Sequence, residues 1–392
     1  MVPPRARSGW WKWLPSALVP ALLVAGDASA QRAPATRVAE FTLARAWTVR
    51  LPATADRQPA VDRHRVYVSV RGLGLLSFSL DDGRRLWSTD VRPVFTPSIA
   101  GDRVLTVTPD AIEALDAAAG SRAWRLPLPQ PAASPPGTGG GWLVVGLRSG
   151  EILAVNAANG AVIWRRELGA PASASPIVVG DLACVGLTDG RVTALGIEDG
   201  SLRWARRLGD AVTGLHAAAG TLFAGSRDNF LYALSLGDGR VRWRWRTGAD
   251  LIGAAASDAS RVYFASLDTI LRALDLHTGA QRWKRAVPAR PLAGPALVDG
   301  VLLLPGLMPD VVAYRVTDGQ PVGRTRLDVD LAAPPVLADY MGPGWRRVVV
   351  VTEDGHVTAL ERPIAPPLVP FTELPGSALP VPEPVPALPA VR

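Results

Sequence analysis

Acid–base or metal chemistry in this 392-residue chain would draw first on four histidines, one cysteine and 35 side-chain carboxylates. His64, His216, His277 and His356 fall at non-equivalent points of the chain with no ligand-like spacing, so they read as surface or turn residues. Cys184 lies in the apolar run Leu182-Ala-Cys-Val185; lacking a second thiol it forms no internal disulfide, and it reads as an inert buried residue. No Cys-x-x-Cys-His haem motif is present. Asp228, Asp250 and Asp268 could gather in a central funnel and hold a small ligand. Against that, Asp189-Gly190, Asp354-Gly355 and the related Asp228-Asn229 return at one turn of a repeating unit, which marks them as turn formers. Recurrence signals structure here, and function is to be sought where recurrence fails.

The repeating unit is announced by Trp47, Trp87, Trp124, Trp164, Trp204, Trp243 and Trp283, spaced by about 40 residues. Six of them follow a glycine by four residues: Gly83, Gly120, Gly160, Gly200, Gly239 and Gly279. An eighth copy keeps Gly319 but has Gly323 in the tryptophan position. Each unit carries four short apolar runs separated by tight turns, with proline opening the first run at Pro59, Pro97, Pro135, Pro176, Pro295 and Pro335. Turns this short allow only an antiparallel meander, which makes each unit one blade of a β-propeller.

Central hairpins starting near Val66, Val104, Leu143, Leu182, Leu222, Val262, Leu302 and Val348 give eight blades. The last unit lacks an outer strand, while the chain begins with an orphan strand, residues 41–51, that carries Trp47. The expected fold is therefore an all-β, eight-bladed propeller of four-stranded antiparallel blades over 41–362, closed by the N-terminal strand completing the last blade. Each indole is expected to wedge against the next blade, and each glycine to take positive φ in the turn before the outer strand. At Gly323 the wedge is missing, so that either the contact is looser there or a large residue such as Trp345 fills it.

The pattern Asp275-Leu-His-Thr-Gly279-Ala-Gln-Arg-Trp283 resembles the repeat of the pyrroloquinoline-quinone-type propellers. That family holds both quinoprotein alcohol dehydrogenases and the non-catalytic outer-membrane assembly subunit BamB. The enzyme branch implies a quinone, a calcium ion held by carboxylate and amide groups, an aspartate base and adjacent cysteines forming a disulfide. One cysteine cannot supply that disulfide, and the connections are too short to roof a cofactor. The resemblance thus implies the BamB-like branch: an exported, non-catalytic scaffold with no cofactor and no metal, binding another envelope protein, with outer-membrane protein assembly as its setting. The alternative is a quinoprotein-dehydrogenase-like enzyme or small-ligand sensor using the funnel.

Blade-to-blade connections, 51–58, 91–96, 127–134, 168–175, 208–214, 287–294 and 327–333, vary in sequence, and a variable loop face on a rigid scaffold is where binding is expected. In BamB-like proteins mid-ring loops dock the barrel-assembly protein. The resemblance carries that role to 168–175 and 208–214, with Leu168, Ser173, Leu208 and Asp210 as candidate partner-binding residues.

Residues 1–30 read as a secretory signal, with Arg5, Arg7 and Lys12, an apolar stretch over 14–26 and Ala28-Ser29-Ala30 before Gln31. The expectation is a periplasmic or secreted bacterial monomer without a transmembrane segment after cleavage. Gln31 stands where the BamB-type lipid-modified cysteine is expected. Residues 31–40 form a linker, and 363–392, with ten prolines, read as an extended tail. The chain is basic, net +7, through 40 arginines. Arg165, Arg166, Arg206, Arg207, Arg244, Arg246 and Arg285 follow the repeat tryptophans. They form either a basic arc for an anionic envelope surface or an acidic protein, or charges that guard exposed strand edges. No nucleic-acid-binding motif accompanies them.

Overall fold

The computed structural model describes residues 41–306, 309–339 and 346–362; the leader, linker and tail read above lie outside the described residues. Within them the chain forms eight four-stranded antiparallel sheets, seven built from consecutive strands. The eighth pairs Ala44–Arg50 with His356–Glu361, then Arg346–Val351 and Val336–Asp339. Trp47 lies opposite Ala359 in that sheet, so the N-terminal strand completes the last blade as the orphan strand implied. Blades are numbered 1 to 8 from the sheet that begins at Ala60.

Blade 3 shows why the sequence takes this form. Its middle strands, Trp142–Gly146 and Glu151–Asn156, are buried on both faces, hence their continuous Val, Leu and Ile content in place of alternation. The outer strand Val162–Glu167 buries Trp164 and exposes most of its neighbours. Inner strands are only two to four residues long except in blade 5, where Val212–Ala218 lacks an opening proline and runs for seven.

Every outer strand carries a β-bulge at the residue before the tryptophan, or before Gly323 in blade 7, a feature with no obvious sequence mark. A bulge bends and twists the strand and re-aims its side chains. The residue opposite each indole is small: Ala359, Ser77, Ala114, Ala154, Ala194, Ala233 and Ala273.

Each indole reaches into the following blade. Its Nε1–H donates to a backbone carbonyl there at 2.7–3.2 Å: Trp47 to Leu80, Trp87 to Ala117, Trp124 to Ala157, Trp164 to Ile197, Trp204 to Leu236, Trp243 to Leu276 and Trp283 to Val316. The indole ring lies over the glycine of that blade's last turn. A Cβ on Gly200 would meet the Trp164 ring at 2.7 Å, and the same holds from Gly83 on Trp47 to Gly319 on Trp283. These turn glycines have φ of 65–75° and their amides close a five-residue turn, as Gly279 N–H does on the Asp275 carbonyl. The glycine thus answers to two demands, a left-handed backbone and the indole of the preceding blade.

At the junction of blades 7 and 8 a large residue does fill the place of the missing indole, and it is Phe41. Blade 8 has chain ends in place of a turn before its outer strand, so an indole at position 323 would find no carbonyl and no glycine to cover. Instead the chain enters across Gly323: Phe41 N–H donates to the Val322 carbonyl at 2.8 Å, and any Cβ at 323 would fall on the Phe41 carbonyl oxygen. The Phe41 ring is buried with Val298, Leu303, Val348 and Leu360, and the Arg362 guanidinium lies 5.5 Å from its centroid. Trp345 lies outside the described residues.

Restoring the consensus residue there is therefore expected to harm the fold. Gly323→Trp should expel Phe41 and cost about 3 kcal/mol, the scale of losing a buried phenylalanine, read as a lower midpoint in thermal or urea unfolding; a raised midpoint would contradict this account of the closure.

Candidate functional site on the connection face

Blade-to-blade connections share one face with the turns between second and third strands. Their sequences vary, but most of them follow one path. In seven of the eight a residue at the start of the connection donates its amide to its own blade's turn, as Leu168 does to Gly150 and Leu208 to Gly190; Val91 is the exception. In six of the eight a later residue then bridges the next blade: Ala55 to Val70, Ala132 to Leu147, Ala172 to Leu187, Leu251 to Ser266, Pro291 to Gly306 and Leu331 to Thr352. Sequence therefore varies over a backbone path that most of the connections share.

That path also decides the candidate partner-binding residues. Leu208 is buried with Trp204 and Val212, and half-buried Leu168 packs against the core that contains Trp164 and Leu187. Ser173 is half-buried and its Oγ donates to the Val212 carbonyl at 2.7 Å. Only Asp210 is exposed, accepting the Ala211 amide. The four do not form an accessible set, because Leu168 and Leu208 anchor the ends of their outer strands in the core. The exposed large apolar side chain on this face, among the described residues, is Leu73 in the blade 1 turn. Exposed Arg71 and Arg92 flank it, Arg92 donating to the Gly72 carbonyl at 3.4 Å. Gly72 and Gly74 at φ 78° and 113° fix the turn. Flanking glycines were the only sequence sign of it.

The three aspartates proposed for a funnel do not converge. Asp228 accepts the Gly209 amide at 3.0 Å and the Tyr232 hydroxyl at 2.5 Å. Asp268 accepts Arg272 at 2.7 Å and the Gly248 amide at 3.1 Å. Burial works to raise the Asp268 pKa, but the hydrogen bonds from Arg272 and Ser266 outweigh it and the carboxyl titrates below its ordinary value. Asp250 is half-buried in the next connection, where its carbonyl accepts the Leu267 amide.

Histidines are equally dispersed. His64 and His277 are exposed in turns. His216 lies on the blade 5 inner strand, Nε2 2.8 Å from Ser257 Oγ and stacked near Phe223, and burial lowers its pKa. His356 Nδ1 pairs with Asp354 at 2.9 Å; the Thr352 hydroxyl and then His356 hold the Asp354 carboxyl below its usual range. This pair borders a notch of about 140 Å³ between blades 7 and 8, with Arg45, Thr48, Asp328 and Thr358. Arg45 meets Asp328 at 3.0 Å and Thr48 meets Thr358 at 2.9 Å, so the lining groups largely satisfy one another. Among the described residues no three His, Cys, Asp or Glu side chains are placed to share a metal ion, and no helix is long and apolar enough to cross a membrane. Cys184 is fully buried, its thiol pushed up to about 12 by burial.

A family model described as outer membrane protein assembly factor BamB matches residues 40–111, 108–213, 188–293 and 268–364. Among solved structures the chain is similar to BamB from Moraxella catarrhalis, with 20% identity and a TM-score of 0.67 over 82% of this chain and 100% of that one. It is also similar to the computationally designed Ika8 protein, at 12% identity and TM-score 0.69 over 81% and 99%. Quinohemoprotein alcohol dehydrogenase from Comamonas testosteroni matches at 14% and 0.66, covering 83% of this chain and 77% of that one. At these identities the structures share a fold and carry nothing more. No curated protein matches the chain.

The His216 environment carries a pH test. Because its folded pKa is depressed, the unfolded chain binds the proton more readily, so its contribution to stability is full above about pH 6.5 and is lost as pH falls through the folded value. Unfolding free energy should fall between pH 7.5 and 5.5 in the native protein, and His216→Gln should flatten that slope; equal slopes would contradict the assignment.

Proposed function

Because the chain belongs to the family of the outer membrane protein assembly factor BamB, we propose that it acts as an exported, non-catalytic propeller that holds a protein partner on its connection face during envelope or outer-membrane protein assembly. The family match from residue 40 to 364, spanning the whole ring, carries this reading. Residues 1–30, read as an export signal, support a periplasmic setting. A rigid ring with repeated connections suits presentation of side chains better than movement around a substrate. On that face Leu73 has the character of an anchor, being apolar, exposed, fixed by glycines and flanked by two arginines.

The quinoprotein reading asks for carboxylates and amides converging at the axis. Asp228 and Asp268 are instead bound within their own turns, which disfavours a quinone and calcium site built on them.

Cross-linking followed by affinity capture from envelope membranes separates the two. The native protein should recover a β-barrel assembly component, and Leu73→Asp should weaken that capture by at least tenfold, the scale of a lost interface anchor, with an unchanged melting temperature. Recovery of no envelope partner, together with alcohol oxidation on adding quinone and calcium, would overturn the proposal.

A further inference from the structure

The edges of the eight blades are not equally charged. The outer strands of blades 4 and 5, Leu202–Arg207 and Val241–Arg246, hold six arginines and no acidic residue. On the other outer strands Arg45, Arg122, Arg125, Arg165, Arg282 and Arg324 each meet a carboxylate, and the arginines that meet none among the described residues, Arg50, Arg85, Arg166, Arg285 and Arg326, come one to a strand. Among the described residues, the one carboxylate contact made by the six outer-strand arginines of blades 4 and 5 is Arg203 to Asp199, at 4.0 Å, while Arg191–Asp189 and Arg240–Asp238 pair within the turns of the same blades. Arg206 donates to the Gly239 carbonyl, Arg242 to the Thr221 hydroxyl, and Arg244 lies 4.9 Å from the Phe230 ring centroid. Arg207 and Arg246 are exposed and occupy the same place in their blades, three residues after the tryptophan.

The same edge carries exposed apolar side chains. Ile163, Leu202 and Val241 are 46%, 50% and 43% exposed, on the outer strands of blades 3, 4 and 5. Leu202 and Val241 again take equivalent positions, two residues before the tryptophan, so that aliphatic and guanidinium groups form parallel rows along neighbouring edges. Protection against edge pairing does not account for this excess, because every one of the eight outer strands already carries a bulge. Neither the notch between blades 7 and 8 nor the hollow where blade 8 leads into blade 1 extends to it.

We infer that the rim formed by blades 4 and 5 docks on an anionic lipid surface, the guanidiniums of Arg207 and Arg246 meeting headgroup phosphates while Leu202 and Val241 enter the headgroup boundary. Charge complementarity and the interleaved aliphatic row both fit a bilayer, where basic residues act additively and short apolar groups need no shaped pocket. The proposal goes beyond the protein-partner reading and stands independently of it, since it uses a different part of the ring.

Vesicle co-sedimentation of the full-length protein as recovered from cells tests it, comparing neutral phosphatidylcholine vesicles with vesicles containing phosphatidylglycerol. The increment in binding caused by the anionic lipid should shrink as salt is raised from 0.1 to 0.5 M. It should fall by about 30-fold in Arg207→Gln/Arg246→Gln, at roughly fivefold per surface arginine, and should fall further with Leu202→Ser. Arg122→Gln, which removes a carboxylate-paired arginine on blade 2, should leave it unchanged. Among the described residues neither the Arg207 nor the Arg246 side chain makes a hydrogen bond or a close ion pair, Arg207 adding only a weak longer-range attraction to Asp189, so the double variant should retain the native melting temperature. No anionic increment would overturn the inference, as would an equal loss with Arg122→Gln, or retention on poly-glutamate without vesicle binding, which would mark the rim as a site for an acidic protein.

Discussion

Contact between an indole and the glycine of the following blade is the constraint from which the rest of this ring follows. It needs a small residue opposite the tryptophan, a bulge to turn the strand, and a left-handed glycine in the next blade to accept the ring. Three separate features of each repeat therefore answer one packing demand. The indole N–H adds direction, because a buried carbonyl waits for it and would be left unsatisfied without it.

The closure is where that demand cannot be met, and the departures cluster there. Blade 8 is assembled from both ends of the chain, so it has no turn before its outer strand and nothing for a seventh-blade tryptophan to cover. Gly323 and the entry of Phe41 replace one latch with backbone contact and a buried ring. Trp47 meanwhile latches blade 8 to blade 1 in the ordinary way, donating to the Leu80 carbonyl.

Blade number, strand count and closure were legible because periodic tryptophans and paired end gaps leave a single topology. The bulge and the small residue facing each indole are not legible, since an alanine or serine in an apolar run looks like any other core residue. Connections misled for a related reason. Leu168 and Leu208 lie between strands and so count among the loop candidates, yet the backbone bond from each to the preceding turn accompanies a side chain packed on the core. Conversely Leu73, Leu202 and Val241 sit beside strand patterns that read as buried, and only the folded edge leaves them open. A repeat makes structure readable and leaves function to its exceptions, and these exceptions fall on one turn of blade 1 and the rim of blades 4 and 5.

The central claim is that indole and glycine are coupled across each blade boundary. A double-mutant cycle between Trp164→Ala and Gly200→Ala, read by urea unfolding, tests it directly. Gly200→Ala should cost substantially more in the native protein than in the Trp164→Ala background, where only the backbone strain of about 1 kcal/mol remains, while Gly279→Ala should cost the same in both. Additive losses at Trp164 and Gly200 would contradict the account.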